Sequence, residues 1–209
     1  MFENFFKIDI DKQKRVLAAA LEVFSREGYL RANTNEIAAL AEISKGLLFH
    51  YFGSKKNLYL LLLDETVKQM TERLMHIHLP SQAELFELLR VISVEKLRIA
   101  VEDPKGYRLI YEAFMHTPKG LEEDMKARFS GLFVNSEARI ADLVDDSLFK
   151  PSVGKDKAIK ILMAYMRGIF AEYIEKNNAL TPEEAVAFLE DYSRQLFQDF
   201  EVLREAFYK

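Results

Sequence analysis

The chain has 209 residues, of which 49% are hydrophobic and 30% charged, with eight Gly and five Pro, so it is not a disordered, collagen-like or low-complexity polypeptide. The absence of cysteine excludes a disulfide framework, a thiolate metal site and a thiol nucleophile, and the longest apolar run, Leu58 to Leu63, is far shorter than the roughly 20 residues of a membrane helix. The net charge of −4 divides into +2 over residues 1–60 and −6 over the remainder, which assigns any polyanionic partner to the first segment. No basic segment followed by an apolar stretch opens the chain. Together these features predict a soluble, cytoplasmic, globular protein with no membrane partner.

The apolar positions Val16, Ala19, Ala20, Val23 and Phe24 recur at intervals of three and four. They mark one face of a helix over about 11–27, ended by Gly28. A short helix follows at about 34–41 and another at about 45–52. Gly53 and Ser54 interrupt the chain before a long helix at about 55–77, which stops ahead of Pro80. Further helical patterns run at about 82–102, 105–116, 119–148, 155–176 and 182–208. Pro104, Pro118, Pro151 and Pro182 stand at or near their ends, where proline is tolerated. No alternating strand pattern and no fixed repeat occurs. The predicted fold class is all-α, with about nine helices. A three-helix domain at 1–53 precedes a larger helical domain at 54–209.

Residues 28–56 carry the clearest signal. Asn33 is a good N-cap, and Glu36 three residues later completes the pattern of a capping box. Ile37, Ala38 and Ala41 give the first short helix a small apolar face. Ser44 caps the next, on which Leu48 and Phe52 share a face that joins Ile43 and Phe24 in a core. Two short helices joined by a tight turn and braced by a longer one form a helix-turn-helix. The other face of the second helix carries Lys45, Gly46, Leu47, Phe49, His50 and Tyr51. Exposed aromatic and apolar groups on so short a helix call for a partner. In a major groove they meet thymine methyls and sugar edges, while Lys45 reaches a base or phosphate and Gly46 permits close approach. The first amides of the following helix, with Lys55, make a phosphate site.

The arrangement resembles the TetR family of bacterial transcriptional regulators. The residues that carry the resemblance lie in about 11–60. They are Val23-Phe24, Gly28-Tyr29, Ile37-Ala38, the run from Ile43 to Phe52, and Ser54-Lys55. The resemblance implies that the helix at 45–52 is a recognition helix. It implies DNA contacts at Asn33, Thr34, Ser44, Lys45, Gly46, Leu47, Phe49, His50, Tyr51 and Lys55. Three positions depart from the family pattern. Phe49 replaces a usual tyrosine, and Asn57 replaces an acidic residue that completes a capping box. Glu42 replaces a turn glycine, where a positive φ costs about 1 kcal/mol or more, so a locally different turn is expected.

The rest of the chain agrees with the family in length and helical character. Aromatic and methionine residues crowd its middle. Phe86, Tyr107, Tyr111, Phe114, Met125, Phe129, Met163, Met166, Phe170 and Tyr173 are candidates to line a cavity for a small apolar or amphipathic ligand. Ordinary core packing is the competing reading of the same residues. The last two helices are wide in apolar surface. The resemblance implies a homodimer through them, with Gly168, Ala171, Leu189, Tyr192, Leu196, Phe200 and Leu203 at the interface. Its function is then a ligand-responsive repressor that binds a double-stranded, pseudo-palindromic operator. The alternative is a DNA-binding protein of the same fold controlled by a protein partner or by concentration, without a small ligand. His76 and His78 lie two apart, where helical side chains diverge, so no metal site is expected. His116 suits a helix C-terminus. No phosphate loop, nucleophile motif or carboxylate pair supports an enzyme, and no cofactor is expected.

Overall fold

The computed structural model describes residues 2–77, 83–175 and 182–209, and their side chains except those of 131–136, 170–175, 182–186, 188 and 189. The described residues form ten α-helices and one 3-10 turn at Asp146–Leu148. Two isolated β-bridges, Ala83 with Val144 and Phe149 with Tyr208, are their only extended pairings. The helices fall into two compact units. The first comprises residues 1–73 and 103–125, and the second 74–102 and 126–209.

The first unit begins with α1 (Glu3–Phe6) and α2 (Ile10–Arg31). Asp9 caps α2, its carboxylate accepting from the amides of Asp11 and Lys12. The Gln13 side-chain amide donates back to the carbonyls of Ile8 and Phe6 and ties the two helices together. Val16, Ala19, Ala20, Val23 and Phe24 are all buried, as their spacing predicts. At Gly28 the backbone leaves the helix, with φ 67° and ψ 171°, and one more turn carries α2 to Arg31. Then come α3 (Thr34–Leu40), α4 (Lys45–Phe52), α5 (Lys55–Met75, to Arg73 in this unit) and α7 (Pro104–Met115).

The start of α7 follows from its sequence. Asp103 caps it by accepting from the Gly106 amide, and Pro104 fills the first turn, where its missing N–H costs nothing. A Cβ on residue 106 would lie 2.1 Å from the Asp103 carboxylate, so a larger residue there would displace the capping side chain. Leu109 and Ala113 are buried on a helix packed along α2, and Lys105 pairs with Glu22 at 2.5 Å. Phe24 and Tyr29 both stack on Tyr59 of α5, at 5.0 and 4.9 Å.

The second unit contains α6 (Leu85–Glu102), α8 (Glu122–Leu143, from Lys126), α9 (Lys155–Glu175) and α10 (Pro182–Phe207). Its core runs through Leu85, Phe86, Leu88 and Leu89 of α6, Ile140, Ile159, Leu162, and Leu196, Phe200 and Phe207 of α10. The segment expected as one helix over 119–148 instead ends at Leu143. Ala83 donates to the Leu143 carbonyl and accepts from the Asp145 amide, which draws the backbone out of helical geometry.

Candidate nucleic-acid interface

α3 and α4 are set by their caps. The Asn33 side chain accepts from the Asn35 amide at 2.9 Å, and Ser44 Oγ accepts from the Leu47 amide at 3.1 Å. The connection between them is a closed turn. The Ile43 amide donates to the Ala38 carbonyl and the Glu42 amide to that of Ala39, the paired bonds of a Schellman ending. Such an ending needs a left-handed residue, and Glu42 takes it with φ 56°. The expected local change of the turn is therefore corrected. Glu42 keeps the left-handed conformation usual for glycine, because two backbone hydrogen bonds offset its strain.

Two other cap expectations also change. Glu36 pairs with Arg26 at 2.5 Å, and the same guanidinium reaches Glu27 at 2.9 Å. Asn57 does not leave its cap empty. Its amide donates to Ser54 Oγ, and its side chain donates to the Phe52 carbonyl at 2.9 Å, fastening the end of α4 to the start of α5.

α4 is amphipathic in an unusual sense. Leu48, Tyr51 and Phe52 are buried. Ser44, Lys45, Gly46 and His50 are exposed, with Leu47 and Phe49 half-exposed between them. The Lys45 ammonium sits 6.0 Å from the Phe49 ring centroid, at the edge of cation–π range. A Cβ added at Gly46 would meet Ser44 Oγ at 3.9 Å, an ordinary contact, so internal packing does not require glycine here. Asn33 is exposed and Thr34 half-buried at the start of α3.

Two residues of the expected contact set are engaged by the fold. The Tyr51 ring is buried, 5.8 Å from Phe5. The Lys55 ammonium donates to the carbonyls of Leu30 and Ala32 at 3.0 and 2.9 Å and lies over Tyr29. Burial pushes its pKa down. It ties the end of α2 to α5. Sequence reasoning missed α1. Phe5 is fully buried, 4.8 Å from Phe52, and Phe2 lies 6.1 Å from the same ring. The cluster of Phe2, Phe5 and Phe6 in the first six residues was the available signal.

The residues expected to line a cavity are distributed more widely. Phe86 is buried against Phe200, Phe207 and Tyr208, a core position. Met125 and Phe129 are also buried. Tyr107, Tyr111 and Phe114 are half-buried on α7 of the first unit. Met163 and Met166 pack half-buried on the core of the second. The side chains of Phe170 and Tyr173 lie outside the described residues, as do those of Ala171 and Leu189 from the interface set. Tyr192, Leu196 and Phe200 differ from their expected role. They are buried within a single chain, because α10 turns that row onto α6 and the core rather than outward. Leu203 is half-buried, and Gly168 faces open space.

His116 follows the end of α7 and approaches Glu112 at 3.1 Å, while His78 lies outside the described residues. Among the described residues no group of three His, Asp or Glu side chains is placed to hold a metal. None of their helices is long and apolar enough to cross a membrane.

Capped helices, a closed turn and an outward face without acidic side chains on α4 define a helix-turn-helix protein that binds DNA. Residues 16–62 match the model described as "Bacterial regulatory proteins, tetR family". Over this segment the chain carries the helix-turn-helix region of the TetR family of bacterial regulatory proteins. It is 34% identical over 112 residues to the HTH-type transcriptional activator FasR of Mycolicibacterium smegmatis, a match covering 49% of this chain and 46% of FasR. It is 23% identical to the regulator YhgD of Bacillus subtilis, over 88% of this chain and 96% of YhgD. Its fold is like that of a TetR family regulator from Chloroflexus aurantiacus, with a TM-score of 0.71, 22% identity and coverage of 99% and 98% of the two chains.

Proposed function

We propose that the protein is a homodimeric repressor that binds a pseudo-palindromic operator and releases it when a small apolar or amphipathic molecule occupies its helical C-terminal region. Residues 1–53 read the DNA, and residues 54–209 hold the ligand and the dimer contacts. The observation that carries this reading is the outward face of α4. Lys45, Gly46, Phe49 and His50 share it, and no hydrogen bond or ion pair within the described residues engages their side chains. Two such faces, fixed in a dimer, meet consecutive major grooves about 34–36 Å apart. A ligand releases DNA only through its different affinity for the bound and free geometries.

The dimer reading draws on α9. Ile161, Ala164 and Gly168 are exposed at steps of three and four along one side of that helix, an apolar strip with room for a close helix crossing. Selection of bound fragments from random DNA tests the whole proposal. The expected product is two inverted half-sites about one helical turn apart. Recovery of single half-sites would exclude the dimer. In a reconstituted transcription assay the selected site should lower transcript from an overlapping promoter. A rise would make the protein an activator.

A further inference from the structure

α6 buries Leu85, Leu88, Leu89, Ser93, Ile99 and Ala100. On the opposite side Glu87, Val91, Val94, Arg98 and Val101 are exposed. These five follow one another at steps of four, three, four and three. Such steps keep to one line on a helix and form the seam of a coiled coil, where each side chain fits between those of a second helix. A single exposed valine is ordinary. Here Val91 and Val94 adjoin on the seam, with Glu87 before them and Arg98 after them.

That order is complementary to itself. In an antiparallel pair of helices, Val91 of one copy can lie against the partner's Val94. Residue 87 stands four before Val91, and residue 98 stands four after Val94. The same register therefore sets Glu87 against the partner's Arg98, and Arg98 against the partner's Glu87. A parallel pair would instead set glutamate on glutamate and arginine on arginine. The charges thus select the antiparallel arrangement, in which one patch meets its own copy about a two-fold axis. Each charge already has a neighbour on its own chain. Glu87 pairs with Arg90 at 2.9 Å and Arg204 at 3.4 Å, and Arg98 pairs with Glu95 at 3.3 Å. The Glu87 and Arg98 side chains nevertheless stay 49% and 63% exposed. Surface pairs of this kind contribute little, so they do not oppose a further partner across an interface.

We infer that this side of α6 is a self-association surface, which pairs antiparallel with the same side of α6 in a second copy of the chain. It uses none of the α9 strip. Where α9 makes the dimer, the α6 contact joins dimer to dimer. Beyond Arg98 the register brings Val101 to the partner's Glu84, a position that each chain's own Arg204 holds at 2.7 Å. The contact is therefore confined to the layers from Glu87 to Arg98. That is shorter than the roughly three to four heptads of a coiled coil that stands alone. The association is accordingly weak and depends on concentration.

The test is sedimentation of the full chain, without DNA, from micromolar to millimolar concentration. The parent is expected to pass from dimer to tetramer as concentration rises. Val94→Glu should weaken that step by about tenfold or more and leave the melting temperature and the dimer in place. Glu87→Arg and Arg98→Glu should each weaken it as strongly, because each puts like charges into both outer layers. An equimolar mixture of these two variants should associate again, since every outer layer of a mixed pair joins opposite charges. A merely structural effect of either substitution would not be repaired by mixing. A parent that remains a dimer throughout, with Val94→Glu indistinguishable from it, would overturn the inference and leave the α9 reading standing. Charge variants that associate like the parent, or that fail to recover on mixing, would overturn it as well. Monomers from Val94→Glu at concentrations where the parent is a dimer would make α6 the dimer contact itself, upholding the inference and overturning the α9 reading. A parent that is monomeric throughout would overturn both.

Discussion

The Phe5 ring packs 4.8 Å from the ring of Phe52, the last residue of α4. The four-residue α1 thus braces the helix proposed to meet DNA. Gln13 holds the brace in place through the Phe6 and Ile8 carbonyls. The expected consequence of Phe5→Ala is a loss of about 3–5 kcal/mol from the first unit, the usual result of truncating a fully buried aromatic residue. Chemical denaturation followed by tyrosine fluorescence would measure it. A loss below about 1 kcal/mol would show that the N-terminal helix adds little to the recognition helix.

Lys45 and Lys55 look alike in sequence, each at the start of a helix next to the proposed DNA. Their surroundings separate them. Lys45 is exposed, and Lys55 holds two carbonyls of the α2 end. Lys45→Ala should weaken operator binding by about 1–3 kcal/mol and flatten its salt dependence. It should leave folding stability within about 0.5 kcal/mol of the parent. Lys55→Met should instead lower stability by about 1–3 kcal/mol, through the loss of charge-assisted bonds. Paired melting and gel-shift titrations check both. A stability loss in the first variant and none in the second would reverse the assignment.

The contrast shows how far the sequence carries. Apolar spacing placed Val16, Val23, Phe24, Leu48 and Phe52 in the core, and cap residues located α3 and α4, because both signals are local. Four residues are too few for periodicity, so α1 left no such trace. Spacing also says that a row is buried without saying against what. Leu196 and Phe200 were legible as an apolar row, and the fold turned that row onto α6 rather than a second chain.

Glu42 holds a left-handed conformation between α3 and α4. Glu42→Gly removes that strain, worth about 1–2 kcal/mol, and adds chain entropy to the unfolded state, worth about 0.5–1 kcal/mol. The expected net effect is a gain of up to about 1.5 kcal/mol. The substitution also removes an exposed negative charge beside the recognition helix, so operator affinity should rise most at low salt. Thermal melts and salt-dependent titrations are the measurements. Lower stability in Glu42→Gly would mean that the glutamate side chain itself contributes to the turn.

Glu84 gives the second unit a defined acid sensitivity. Burial raises its pKa, but hydrogen bonds from Tyr208, the Phe86 amide, Arg204 and the Glu87 amide outweigh burial and hold it below the ordinary 4.5. The Arg204 contact is 2.7 Å. A carboxylate with a depressed folded pKa stabilises fully above its unfolded value. That contribution fades as pH falls from about 5 through the folded pKa. Glu84→Gln cannot titrate, so its stability should fall less steeply over the same range. At neutral pH it should be less stable than the parent by about 1–3 kcal/mol, because Arg204 loses its charged acceptor at this site. Urea melts at intervals from pH 7 to pH 3 would measure both slopes. Parallel slopes for the two proteins would place the acid sensitivity elsewhere, on carboxylates such as Asp145, whose pKa is lowered chiefly by the Ser147 amide.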